Sequence, residues 1–302
     1  WSWSRGLGDV YKRQDVASIM DTNNYDHAHD HDNFVCSAGS ILHDNINFGR
    51  TFIALNGDDY DLEELERQSM MYLIMHEVGH TLGLNHNMKS SSIYNISELY
   101  DANKLKGKAI SGSVMDYPAL NLNPNPKIKS PYADSSVGHY DKWAIEFGYK
   151  PFNSEKERNE ILSRSTDPLL IFGNDADILY SSRGIDPRVQ TNDMSSDPIS
   201  YSIDRMRLVN ELFDDILDKF QTPGNTYEDL RRAFFNLNSQ YASAASTISK
   251  FIGGVYVERS VIGQKGSKKP YTPVSYRDQK RAFKALDKYI FSSDNYLSLI
   301  HI

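Results

Sequence analysis

Apolar residues along most of this chain recur at helical rather than alternating spacing. Over residues 62–82, Leu62, Leu65, Leu73, Val78 and Leu82 fall mostly at that spacing, which predicts a helix with Gly83 placed to cap it. A second stripe, Met206, Val209, Phe213, Ile216 and Phe220, repeats at i, i+3 and i+4 over 199–220. Pro223-Gly224 then breaks the pattern, and Thr226 with Asp229 three positions on reads as a capping box. The helix it opens carries Leu230, Phe234, Leu237, Tyr241, Ile248 and Phe251 on one face. Further helices are predicted over 136–149 and 276–291. Strand-like composition is confined to 34–37 and 51–55, inside a polar, loop-rich stretch from 14 to 61. Residues 86–131 are rich in Asn, Ser, Pro and Gly and predict a long ordered loop, a type that usually carries function. No internal repeat is visible.

Composition narrows the class. With 302 residues, 24% charged and 12% aromatic, the chain reads as globular and large enough to bury a core. The change of pattern near residue 151 suggests one domain over 15–150 and a helical region over 151–296. A net charge of −7 argues against a nucleic-acid partner, whose binding surface is normally basic. No apolar run approaches the length of a membrane span. The single cysteine, Cys36, excludes an internal disulfide framework; an inert buried thiol is expected, since no local pattern marks it as a latency switch. Residues 1–14 and 297–302 resemble translated sequencing-adaptor tails and are set aside as non-native. The missing secretion signal therefore carries no information.

Within the first predicted helix stands His76-Glu77-Val78-Gly79-His80, an HExxH sequence. Residues i and i+4 lie about 40° apart around a helix, so both imidazoles can reach one ion. Glu77, one step round, can contact a water at the metal without being a ligand. The chain continues to Gly83 and His86, completing HExxHxxGxxH. A glycine is needed there because the helix must stop and turn sharply, through positive φ, to swing a third histidine back. Three neutral imidazoles leave a fourth zinc position open, the catalytic rather than the structural arrangement.

Met115 lies 29 residues past His86, within Ser113-Val114-Met115-Asp116-Tyr117. Here the sequence resembles the metzincin metalloproteases, whose signature is the extended histidine motif followed by a methionine turn. HEVGHTLGLNHN, SVMDYPALN and GHYDKWAIEFGYKPF look like the bacterial zinc metalloproteases grouped with the EcxA toxin subunit, and the resemblance covers roughly 62–291. It implies an α+β, metzincin-like catalytic domain followed by a mainly α-helical C-terminal region. It also implies zinc on His76, His80 and His86, Glu77 as general base, Met115 as an apolar floor, and Tyr117 as a group that helps at the reacting carbonyl. The implied partner is a polypeptide substrate, the implied setting secreted or periplasmic, and a monomer is expected. One departure stands out: 14–61 hardly has room for the sheet and backing helix of a metzincin, so the N-terminal sheet lobe is expected to be incomplete. The strand that pairs with substrate is sought between 34 and 55.

Other clusters receive weaker readings. His27, His29 and His31 alternate and suit a solvated loop better than a second metal site. Asp175, Asp177, Asp186 and Asp193 offer oxygen ligands for calcium but lack the spacing of a calcium loop. His43 and His139 receive no role. Two rivals are weighed: a zinc-retaining, toxin-like or binding module with little protease activity, which the intact Glu77 speaks against, and a gluzincin with a downstream glutamate as third ligand, which Gly83 with His86 disfavours.

Overall fold

The computed structural model describes residues 36–57, 59–178 and 184–292. The two terminal tails and His27, His29 and His31 lie outside the described residues. What is described is mostly helical, with one small sheet.

The first helix, α1 (Ala38–Asn56), replaces the strand expected over 51–55. Thr51, Phe52 and Ile53 are good strand formers taken alone, but the buried positions Leu42, Asn45, Phe48, Phe52 and Leu55 recur every three to four residues. Tertiary burial along a helical face overrides local composition. No strand therefore exists among described residues 36–57 to pair with substrate, which corrects that expectation.

Helix α2 (Leu62–Thr81) starts where Asp61 accepts a hydrogen bond from the Glu64 amide at 2.9 Å. Its buried face is Leu65, Gln68, Ser69, Tyr72, His76 and Gly79. The apolar stripe read from the sequence is only partly that face: Leu65 is buried, whereas Val78 and Leu82 are exposed beside Met70 and Ile74. The buried polar residues have work in holding the loop. Gln68 Oε1 accepts from the amides of Tyr132 and Ala133 at 2.7 and 3.2 Å. The Tyr72 hydroxyl donates to the Asp116 carbonyl.

Residues 86–138 wind through short helical turns, among them α3 (Ile96–Leu99) and α4 (Ala102–Leu105). Buried carboxylates take the place of a backbone ladder here. Asp134 accepts from the amides of Ile110 and Ser111 at 2.6 and 3.1 Å. Asp116 accepts from Ser91 N and Tyr117 N at 2.6 and 2.7 Å, and Asp141 from Val114 N and Gly138 N at 2.9 and 2.8 Å. Burial pushes the Asp116 carboxyl well up, as does the charge of Asp193, and burial lifts Asp134 to about 6.

Helices α5 (His139–Tyr149) and α6 (Glu155–Leu162) follow. Helices α7 (Pro198–Phe220) and α8 (Tyr227–Ser249) form a hairpin around Gly224, whose φ is +105°; Thr226 and Asp229 make the anticipated capping box. Strands β1 (Val255–Val257) and β2 (Tyr271–Pro273) pair antiparallel, Tyr256 opposite Thr272. Helix α9 (Tyr276–Leu286) runs into a π-helical turn over Asp287–Phe291.

The main core joins early and late parts of the chain. Phe48 and Phe52 of α1, Leu65 and Tyr72 of α2, and Leu120 and Leu122 pack with Val209 and Ile216 of α7 and Phe234 and Leu237 of α8. A second core gathers α7, α8 and α9 around Met206, Ile248 and Ala282. No described helix is long and apolar enough to cross a membrane.

Candidate metal centre

The end of α2 explains how the third histidine arrives. Gly83 has φ +82°, the Gly83 amide donates to the His80 carbonyl at 2.9 Å, and the Leu84 amide donates to the Gly79 carbonyl at 3.0 Å. These two bonds form a Schellman stop, which needs a residue at ease with positive φ. The chain reverses there, and His86 returns to face His76 and His80. The ring centroids lie 4.8 Å (His76–His80), 4.8 Å (His80–His86) and 5.3 Å (His76–His86) apart.

Each ring is fixed through its Nδ1. His76 Nδ1–H donates to the Val114 carbonyl at 2.7 Å, and His80 Nδ1–H to the Leu84 carbonyl at 3.1 Å. His86 Nδ1 sits 2.9 Å from both Asp175 carboxylate oxygens. A carbonyl or carboxylate can only accept, so the proton is on Nδ1 and Nε2 carries the lone pair in each neutral ring. His80 Nε2 is buried with no hydrogen-bond partner, a costly position unless something electron-poor fills the space before it. The donor set, three imidazoles with an orphaned Nε2, fits zinc.

Met115 is fully buried. A Cβ on Gly79 would stand 2.3 Å from Met115 Sδ, so the glycine inside the HExxH run admits the Met115 side chain. The Asn87 amide donates to the Met115 carbonyl at 2.9 Å, tying the turn to the third-histidine segment. Tyr117 is buried, with its hydroxyl 2.8 Å from His86 Nε2. Burial, reinforced by the Cys36 thiol beside it, raises the Tyr117 pKa, so its hydroxyl keeps its proton. Burial also raises Glu77, and the neighbouring Cys36 adds to this.

Two members of the site were misjudged from the sequence. Cys36 is half-buried against the histidines rather than inert: its Sγ lies 3.5 Å from His76 Nε2, 3.2 Å from the Tyr117 hydroxyl and 3.7 Å from Glu77 Oε1. Burial alone would push the thiol up. Its interactions with His76, His80, His86 and Tyr117 together outweigh it and pull the thiol down to about 3. The ligand atoms of Cys36, His76, His80 and His86 all lie within 4.8 Å of one another.

Asp175, considered for calcium, instead holds His86. Burial pulls that imidazole down, and the carboxylate and thiol overcome it to lift it to about 9. The other acids of the supposed calcium loop do not converge either. Asp177 pairs with Arg259, Asp186 with Lys89 at 3.1 Å and Arg188 at 2.8 Å, and Asp193 accepts from Ser91 Oγ at 3.3 Å. Among the described residues the histidine–cysteine group is the one cluster of three or more such ligands. No local signal tied Cys36 or Asp175 to the motif, because they lie 40 positions before His76 and 89 after His86.

A histidine triad on a helix and its Schellman bend, with a carboxylate beside it and a buried methionine packed on Gly79, fits a metal site of the metzincin class. A family model described as Met-zincin matches residues 58–301, and the chain belongs to that family, which implies a zinc metalloprotease. Among curated proteins and among solved structures, none matches the chain.

Proposed function

We propose that the chain is a zinc-dependent endopeptidase in which His76, His80 and His86 hold the ion and Glu77 is the general base. The observation that carries this reading is the convergence of the three rings, their Nδ1 atoms engaged elsewhere, on a buried and unpartnered His80 Nε2. Zinc bound there supplies a Lewis acid that polarises the peptide carbonyl and acidifies the attacking water. Glu77, its pKa raised by burial, takes the water's proton and passes it to the leaving amine. Tyr117 keeps its hydroxyl proton and donates it as a hydrogen bond to the oxyanion. The closer likeness to the EcxA group, and with it a secreted or periplasmic setting, belongs to the same proposal.

Glu77→Gln keeps the shape and removes the base. The expected result is full zinc content by metal analysis, with hydrolysis of a peptide library reduced about 10²–10⁴-fold. Undiminished cleavage would overturn the assignment. A zinc-retaining module without protease function predicts no cleavage by the wild-type chain at all.

A further inference from the structure

The loop joining β1 to β2, residues 258–270, carries two apolar side chains that the fold does not use. Ile262 is fully exposed and Val261 largely so. Their exposure is built rather than slack. The Gln264 amide donates to the Val261 carbonyl at 3.0 Å, closing a tight turn with Gly263 at φ +82°. Gln264 Nε2 donates to the Ser163 carbonyl at 3.2 Å and to Ser165 Oγ at 2.9 Å, and Thr166 Oγ1 donates to the Lys265 carbonyl at 2.7 Å. The loop is thereby moored to the turn that follows α6, with Ile262 at its apex. Such an apex usually holds Asn, Asp, Ser or Gly, and branched apolar residues contribute nothing to the turn itself. Lys265, Lys268 and Lys269 follow in the same loop, all exposed. Its one acid, Glu258, pairs with Arg188 at 3.0 Å, and Arg259 pairs with Asp177. No described carboxylate forms an ion pair with the three lysines, in a chain whose net charge is −7.

We propose that this loop docks on an anionic lipid bilayer, Val261 and Ile262 entering the boundary of the acyl chains while Lys265, Lys268 and Lys269 meet the headgroup phosphates. A fixed apolar tip beside unneutralised ammonium groups matches the layering of such a surface, charge outside and hydrocarbon within. Lysine stems can lie along the boundary with their heads among the phosphates. Tyr271, exposed at the start of β2, adds an amphipathic ring of the kind that sits at that level. Two apolar side chains offer too little area for a stable protein interface. The loop is also tied to the metal centre. Lys89, three positions past His86, donates to the Val257 carbonyl and to Asp186 Oδ2, both at 3.1 Å, and that oxygen accepts from the Val257 amide at 3.0 Å. Arg259 reaches Asp177, two positions past the Asp175 that holds His86. Docking therefore fixes how the histidine site faces the bilayer, which favours substrates presented at that surface. It does not depend on the peptidase chemistry, since none of the loop's residues belongs to the metal site.

The test is flotation of the full chain with vesicles of phosphatidylglycerol or of phosphatidylcholine, at low and at high salt. The wild-type chain is expected to float with phosphatidylglycerol vesicles at low salt, and far less at high salt or with phosphatidylcholine. Val261→Ser combined with Ile262→Ser is expected to weaken partitioning about tenfold or more. Lys265→Gln, Lys268→Gln and Lys269→Gln are each expected to weaken it about fivefold. All these side chains are exposed, so urea unfolding is expected to stay unchanged. A wild-type chain that does not float with phosphatidylglycerol overturns the proposal. Partitioning undiminished by the two serines also overturns it, because the lysines alone then account for the binding. Self-association of the wild type that the serines abolish, without flotation, assigns the tip to a second copy and overturns it too. None of these outcomes bears on the zinc content and cleavage by which the peptidase reading is judged.

Discussion

Each imidazole of the triad is set by a single acceptor residue behind it, and the three acceptors differ in kind. Val114 and Leu84 offer backbone carbonyls, which no side-chain substitution removes; Asp175 offers a carboxylate to His86. The third ring is therefore the one whose support can be cut by mutation. Asp175→Ala is expected to weaken zinc binding about 10–100-fold, measured by competition with a chromophoric chelator, and Asp175→Asn, which still accepts from Nδ1, to weaken it less. Equal affinity in wild type and Asp175→Ala would show that the ring is oriented without the carboxylate. At this scale the approach of His76, His80 and His86 was legible because one helix and the bend at Gly83 fix their geometry, whereas Met115 and Tyr117 were singled out by the resemblance alone. Asp175 and Cys36 were not legible, since only the folded chain brings them to the rings.

Between elements, close backbone approach does what regular hydrogen bonding does elsewhere. A Cβ on Gly138 would stand 2.0 Å from the Gly112 carbonyl oxygen and 2.6 Å from Ser113 N, both backbone atoms that cannot step aside. The Tyr140 amide donates to that same Gly112 carbonyl at 2.8 Å. Gly138 thus lets the start of α5 press on the strand of loop leading to Met115. Gly138→Ala is expected to cost about 2–3 kcal/mol in urea unfolding, towards the upper end for overpacking, and to loosen the methionine turn. A loss under about 0.5 kcal/mol, the scale of a surface change, would contradict the tight contact. Helices announced by caps and stripes, α7 and α8 above all, could be read directly. Helix α1 could not, because Thr51-Phe52-Ile53 favours a strand until the faces it buries are known. The outer side of α2 misled in the opposite way, since Val78 and Leu82 are apolar yet exposed, while Gln68 and His76 are polar yet buried.

Across the whole molecule, the helices after residue 150 share a core with those before it. Ile216 and Leu237 pack on the cluster that holds Phe48 and Leu65, and the Tyr201 hydroxyl donates to the Leu120 carbonyl at 3.0 Å. The Asn192 amide donates to the Tyr117 carbonyl at 2.7 Å, and the Gln190 amide to the Met88 carbonyl at 2.9 Å. A chain ending at residue 150 loses all of these together with Asp175. It is expected to unfold without a cooperative transition, whereas the full chain melts sharply; a cooperative melt of the shortened chain would show that the early part folds alone.

The bond between His86 and Asp175 has a consequence in time. A polypeptide grows from its amino end, so His76, His80 and His86 emerge from the ribosome well before the acid that steers the last of them has been added. On the zinc-peptidase reading, an unfinished chain is expected to grip an ion loosely, with firm loading only after some ninety further positions have been translated. Order of synthesis would then withhold the proposed cutting centre from a protein that is still being made.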